Sequence, residues 1–173
     1  MQKSAEERFQ DIYRRHRPAV VAYARRRMSA DAVEDVVAET FLVCWRKLEC
    51  VPEHPLPWLY AVARKTLANQ RRAAVRQTTP AVVERSGEAF LFDGDPALGA
   101  AFSQLSERDQ EVLRLVAWEG LLLREAATVL GCSAVACRVR FHRAKRRLAE
   151  GLDAVEGHAA TARPQPDPKG ATR

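Results

Sequence analysis

The sequence predicts an all-α protein: two small helical domains joined by a flexible linker, the C-terminal one containing a helix-turn-helix. Three observations carry this expectation. Val33, Val36, Val37, Thr40, Phe41, Cys44, Trp45 and Leu48 follow the i, i+3, i+4, i+7 spacing of one helical face without a miss. Residues 77–101 sustain no period and contain Thr-Thr-Pro, Ser-Gly and Asp-Gly-Asp-Pro, which is turn and linker chemistry. Ala127, Gly131 and Cys137 stand at helix-turn-helix spacing, with a small residue where the helices cross, a glycine at the turn and an apolar anchor in the second helix. The one alternating stretch, Val135–Phe141, follows Gly131 and Ser133, a turn and a cap, so it suits a helix better than a strand.

The elements follow in order. From about Phe9 to Met28, the residues Phe9, Ile12, Tyr13, Val20, Ala24 and Met28 mark one helical face, and Pro18 inside it predicts a kink or break. The helix over 33–48 comes next, with Asp31 and Glu34 spaced as a capping box at its start. Three prolines make 49–57 a loop, and Pro57 fits the first turn of a helix from Trp58 to about Arg76. After the linker, which holds at most a short helix around Pro80–Arg85, Ser106 caps a helix that Gly120 ends. The paired helices of 120–147 follow. The expected organisation is a domain over 1–76, a linker over 77–101, a helix-turn-helix domain over 102–153 and a disordered tail over 154–173.

Charge sharpens the division. The net charge is +6. Residues 1–76 hold 15 basic against 9 acidic side chains, 77–101 hold 1 against 4, and 102–150 hold 9 against 6. Two basic blocks around an acidic segment suggest two surfaces that meet a polyanion and a linker that does not. The helix carrying Arg138, Arg140, His142, Arg143, Lys145, Arg146 and Arg147 has no acidic residue in that span, and it is the one a helix-turn-helix places in the major groove. Arginine there suits both guanine pairing and phosphate anchoring. The Arg14–Arg27 cluster fits a solvated face or a second polyanion contact equally well.

The chemistry of an enzyme is missing. No G-x-S-x-G, glycine-rich phosphate loop or H-E-x-x-H occurs, and the four histidines have no triad partners placed by the sequence. No cofactor and no metal centre are expected. Cys44, Cys50, Cys132 and Cys137 form no C-x-x-C pair, and Cys137 is needed as an anchor. A polar start and the absence of a membrane-length apolar run predict a cytoplasmic protein.

Both blocks resemble the extracytoplasmic-function sigma factors of bacterial RNA polymerase. Glu-Asp-Val-Val-Ala-Glu-Thr-Phe-Leu-Val-Cys-Trp-Arg (34–46) and Pro-Trp-Leu-Tyr-Ala-Val-Ala-Arg (57–64) are similar to the family's region 2. Leu-Ser-Glu-Arg-Asp-Gln-Glu-Val-Leu-Arg-Leu (105–115) and Arg-Phe-His-Arg-Ala-Lys (140–145) are similar to region 4. The resemblance implies that Asp35, Glu39, Phe41 and Trp45 dock on the polymerase β′ clamp. It implies that the 49–57 loop with Arg64, Lys65, Asn69, Arg71 and Arg72 opens the −10 element and holds a flipped base. The linker would thread the active-site cleft and RNA exit channel. Arg138, Arg140, His142, Arg143 and Arg146 would read the −35 element, in a module that also touches the β flap. Core polymerase and promoter DNA are the implied partners, with an anti-sigma factor as a candidate regulator. The chain departs from the family pattern at Ala38, often Gln, and at Leu122, usually Ser or Thr. It departs again at Ala136 and Val139, positions that are often polar. The rival reading is a free-standing helix-turn-helix regulator that binds operator DNA as a dimer, using the 33–48 helix for self-pairing.

Overall fold

A computed structural model describes residues 4–77 and 95–161. Seven α-helices are present among them and no strand: α1 Ala5–Arg25, α2 Val33–Arg46, α3 Leu56–Gln77, α4 Pro96–Ser103, α5 Glu107–Ala117, α6 Leu123–Leu130 and α7 Ala134–Thr161. No helix among the described residues is long and apolar enough to cross a membrane. The short helix expected around Pro80–Arg85 lies outside the described residues.

The helices α1, α2 and α3 pack on one another. Val20, Tyr23, Val36, Val37, Leu59 and Ala63 are buried between them. The first helix begins earlier than its apolar stripe. Ser4 Oγ accepts from the Glu7 amide at 3.2 Å while the Glu7 carboxylate accepts from the Ser4 amide at 2.9 Å, a complete capping box. The expected break at Pro18 does not occur: α1 runs through it to Arg25. An internal proline costs a helix about 3 kcal/mol. Here the residues after it, Val20, Val21, Tyr23 and Ala24, are all buried in the same core as Ile12 before it, so tertiary packing overrides the local penalty.

The capping box expected at Asp31 and Glu34 is also corrected. Asp31 sits in a 3₁₀ turn, Ala30–Ala32, and Ala32 precedes α2 with no side-chain cap. The Ser29 hydroxyl and adjacent backbone amides hold the Asp31 carboxyl below its ordinary range, while Glu34 pairs with Arg17 at 2.8 Å.

In the second half, α7 packs against α4, α5 and α6. The helix α4 occupies residues assigned to the linker by sequence. Asp95 caps it by accepting from the Leu98 amide at 2.9 Å, Pro96 fills its first turn, and Phe102 is buried. At the other end, α7 continues through Thr161, into residues expected to be tail. Ser106 caps α5 as expected, accepting from the Asp109 amide at 3.2 Å. Gln110 is buried; its amide donates to the carbonyls of Phe102 and Leu105 at 3.1 Å each and ties the α4–α5 turn to α5. Gly120 and Gly131 both hold φ near +65°, at 65° and 66°, the left-handed region that ends α5 and makes the turn after α6.

Leu122 precedes α6 and cannot accept a hydrogen bond, so only half of a capping box remains: the Glu125 carboxylate accepts from the Leu122 amide at 2.8 Å. Replacing Leu122 by Ser is expected to raise the stability of this half by about 0.5–1 kcal/mol, read as a higher urea midpoint. An unchanged or lower midpoint would mean that the half-exposed leucine contributes packing worth more than the cap.

Candidate nucleic-acid interface

The helix-turn-helix is built by α6 and α7. Gly131 turns the chain, with the Cys132 amide donating to the Ala127 carbonyl at 3.1 Å, and Ser133 caps α7 by accepting from the Ala136 amide at 3.1 Å. Ala127 and Cys137 are buried, as their spacing predicts, together with Ala126, Val129 and Ala144. Burial next to Cys132 pushes the Cys137 thiol above its ordinary value, so it stays a neutral anchor. Among the described residues no group of three or more His, Cys, Asp or Glu could hold a metal ion.

The packed stripe of α7 is Cys137, Phe141, Ala144 and Leu148, so the opposite face is exposed. Arg138, His142, Arg143 and Arg146 all lie on exposed positions, whereas Arg140 is half-buried beside the packed stripe. Arg146 pairs loosely with Glu150 at 3.4 Å. Arg147 instead reaches back to α5, donating to Asp109 at 2.6 Å, and fixes the reading helix to its support. Between the arginines stand Val135 and Val139, 70% and 44% exposed. Leu122 is exposed as well, at the start of α6. Sequence reasoning had treated Val139 as a departure; its exposure beside Val135 makes it an apolar contact in the middle of a basic face.

The α2–α3 pair forms the second surface. A shallow cleft of about 1110 Å³ runs between the two helices, lined by Asp35, Glu39, Trp45, Trp58, Lys65 and Asn69 among others. It brings together two sets of residues that the sequence assigned to different tasks. Asp35 and Glu39 are exposed on α2; Arg64, Lys65, Asn69, Arg71 and Arg72 are exposed on α3. Arg71 donates to the Arg27 carbonyl at 2.8 Å, and Arg72 donates to the Asn69 side chain.

Phe41 must be withdrawn as a surface contact. It is 3% exposed and packs edge-on against Tyr13, because it belongs to the buried stripe of α2. Trp45, four residues on, is 44% exposed and meets Phe9 edge-on at 5.2 Å. Leu42 is exposed next to it and takes the place that Phe41 was given.

The Arg14–Arg27 cluster is largely paired. Arg14 meets Asp11, Arg17 meets Glu34, Arg26 meets Glu119, and Arg27 meets both Glu111 and Glu119. It is therefore no open phosphate track.

Residues 12–77 match the family described as Sigma-70 region 2, and residues 96–148 match Sigma-70, region 4. The chain is 35% identical over 147 residues to the ECF RNA polymerase sigma factor SigF of Caulobacter vibrioides, covering 79% of this chain and 80% of that one. Its fold is similar to CnrH, solved in complex with the cytosolic domain of CnrY, with a TM-score of 0.60 and 28% identity over 84% of this chain and 88% of that one. It is likewise similar in fold to the sigma factor RpoE, solved with the anti-sigma factor NepR from Bartonella quintana, with a TM-score of 0.62 and 24% identity over 84% and 96% of the two chains.

Proposed function

The chain belongs to the extracytoplasmic-function family of RNA polymerase sigma factors, and we propose that its two surfaces divide promoter recognition between them. As a sigma factor it binds core RNA polymerase and promoter DNA and directs promoter-specific initiation. It supplies recognition in the cytoplasm while the polymerase supplies the chemistry. An anti-sigma factor is the class of regulator that fits this role. The domain that docks and opens DNA comprises α1–α3, and α4–α7 form the domain that reads the upstream element.

In this reading Asp35, Glu39, Leu42 and Trp45 of α2 dock on the β′ clamp. Arg64, Lys65, Asn69, Arg71 and Arg72 of α3 follow the opened −10 strand, where extruding a base costs a few kcal/mol and basic side chains along the strand offset part of it. The observation that carries the reading is the cleft between α2 and α3, with acidic residues on one wall and basic ones on the other. A repressor dimer has no use for such a wall of opposed charge. In-vitro transcription with purified core polymerase and start-site mapping tests it; failure to initiate at any genomic promoter would sink it.

The exposed face of α7 reads the −35 element. Arg138 and Arg143 flank the valines at major-groove depth, with His142 and Arg146 one turn further along. Arg138→Ala is expected to weaken promoter binding by about 1–3 kcal/mol and to relax one base position. Unaltered affinity and selectivity would remove this arginine as a reader. Val135 and Val139 have no hydrogen-bonding group and read thymine methyls. Replacing the contacted thymine by uracil removes one methyl, worth about 0.8 kcal/mol or roughly fourfold in affinity. That sensitivity should vanish in Val139→Ala, and uracil duplexes bound as tightly as thymine ones would rule the contact out.

A further inference from the structure

The most deeply buried charges of this chain lie between its two halves. Arg27, at the C-terminal end of α1, stacks its guanidinium over the Tyr23 ring at 3.6 Å. Its Nε donates to Glu111 at 3.0 Å and its Nη1 to Glu119 at 2.8 Å. Arg26 donates to the second oxygen of Glu119 at 2.8 Å, and the Tyr23 hydroxyl donates to Glu111 at 3.0 Å. The side chains of Arg27 and Glu119 are 4% and 2% exposed. Burial alone would raise the Glu111 carboxyl, but the charge and hydrogen bond of Arg27 outweigh it and hold that carboxyl below its usual value. Tyr60 of α3 stacks on Tyr23 at 4.8 Å, and burial beside Glu119 pushes its hydroxyl up to about 12. Alongside this cluster α3 packs directly on α6.

We propose that this cluster is an intramolecular latch that holds the free chain closed, and that the chain must release it to engage a promoter. Span comes first. Elements centred at −10 and −35 lie about 25 base pairs apart, about 80 Å along B-form DNA at roughly 3.4 Å per pair. A compact chain of this length has a radius of gyration of only about 16 Å, so the closed form cannot meet both elements. The 18 residues between α3 and α4 can reach up to about 60 Å, which lets the two halves separate.

The chemistry of the interface suits release. Its strongest contacts are charged, and charges recover their hydration when exposed, so opening returns much of the desolvation cost that closing incurred. An apolar seam would have no such compensation. The Nη2 of Arg27 is buried without a hydrogen-bond partner, which further limits how tightly the latch can hold. The latch also restrains the α3 surface, because Arg71 bonds to the Arg27 carbonyl.

The inference rests on the sigma-factor reading only for its purpose; closure itself is a property of the free chain. Small-angle scattering and core-polymerase binding, both on the full chain, test it with two variants, Glu111→Gln/Glu119→Gln and Arg27→Met. They remove the charges from opposite sides, and circular dichroism checks that each keeps native helicity. Both variants are expected to raise the radius of gyration by roughly a quarter or more. Apparent affinity for core polymerase should tighten about 3- to 10-fold as the open fraction rises. An already expanded wild-type chain, unchanged dimensions in both folded variants, or opening without any gain in polymerase affinity each overturns the latch. A wild-type chain that never binds polymerase would overturn the functional reading, while the scattering still decides closure.

Discussion

Asp35→Lys should lower affinity for core polymerase by about 30-fold or more, the roughly 2 kcal/mol or larger loss seen when a central interface anchor is removed. Asp35 lies exposed in the first turn of α2, one turn before Glu39, and both line the cleft that faces α3. Reversal does two things there. It deletes the carboxylate offered to a basic partner surface, and it sets a cation into a cleft already walled by Lys65, so repulsion replaces attraction. The fold should be unaffected, because Asp35 makes no buried contact. It does lose an acidic residue favoured at a helix N-terminus, worth only about 0.3–1 kcal/mol. Titration of the variant against core polymerase, with thermal unfolding as the control, settles it. Wild-type holoenzyme assembly by the variant would mean that docking lies elsewhere. Trp45 gives a second reading of the same surface, since its truncation removes an exposed aromatic anchor without touching charge.

The largest expected effect on stability is at Phe102. Phe102→Ala should cost the C-terminal half about 3–5 kcal/mol. The ring is buried, meets Trp118 edge-on at 5.8 Å and lies beneath the Arg114 guanidinium at 5.0 Å. Its carbonyl also accepts from the buried Gln110 amide. A domain of this size has only a few kcal/mol in reserve. Urea unfolding followed by circular dichroism should therefore show this half melting far earlier than in the wild type. Upstream-element binding should fall with it, although Phe102 is on neither face of the reading helix. A loss below about 1 kcal/mol would mean that α4 is only loosely attached.

Phe102 also marks a limit of what the sequence made legible. The helix α4 has eight residues, too few for a 3.6-residue period to declare itself, and its Asp95-Pro96 start reads equally well as turn chemistry or as a cap followed by a first-turn proline. The longer elements were readable because a sustained stripe leaves no ambiguity, as in α2. Even there the stripe could not separate Phe41 from Trp45. Both follow the same period, but Trp45 lies in the last turn of the helix, where the core gives way to the single ring of Phe9. The helix-turn-helix was readable because its turn requires a left-handed residue and its crossing a small one, and both demands are local. The Arg27 cluster was not. Its partners stand 84 and 92 positions away in the chain, and no local pattern announces which arginine of a basic run will be buried. The polarity of the cluster was correctly noticed in the sequence; its pairing had to come from the fold.

The helix α7 belongs to two structures at once. Its first turns carry the reading face, and its later turns rest on α4, close enough at Gly151 that a methyl group there would stand 3.5 Å from Ala101. The segment arriving from the N-terminal half enters the C-terminal half through α4. Any tension along that segment is thus delivered to the far end of a rigid rod, α7, whose near end sits in the DNA groove and whose fulcrum is the Arg147–Asp109 pair on α5. How far apart a promoter holds its two elements would then be felt as a tilt of the reader. Spacing, in this chain, becomes a mechanical input to sequence preference.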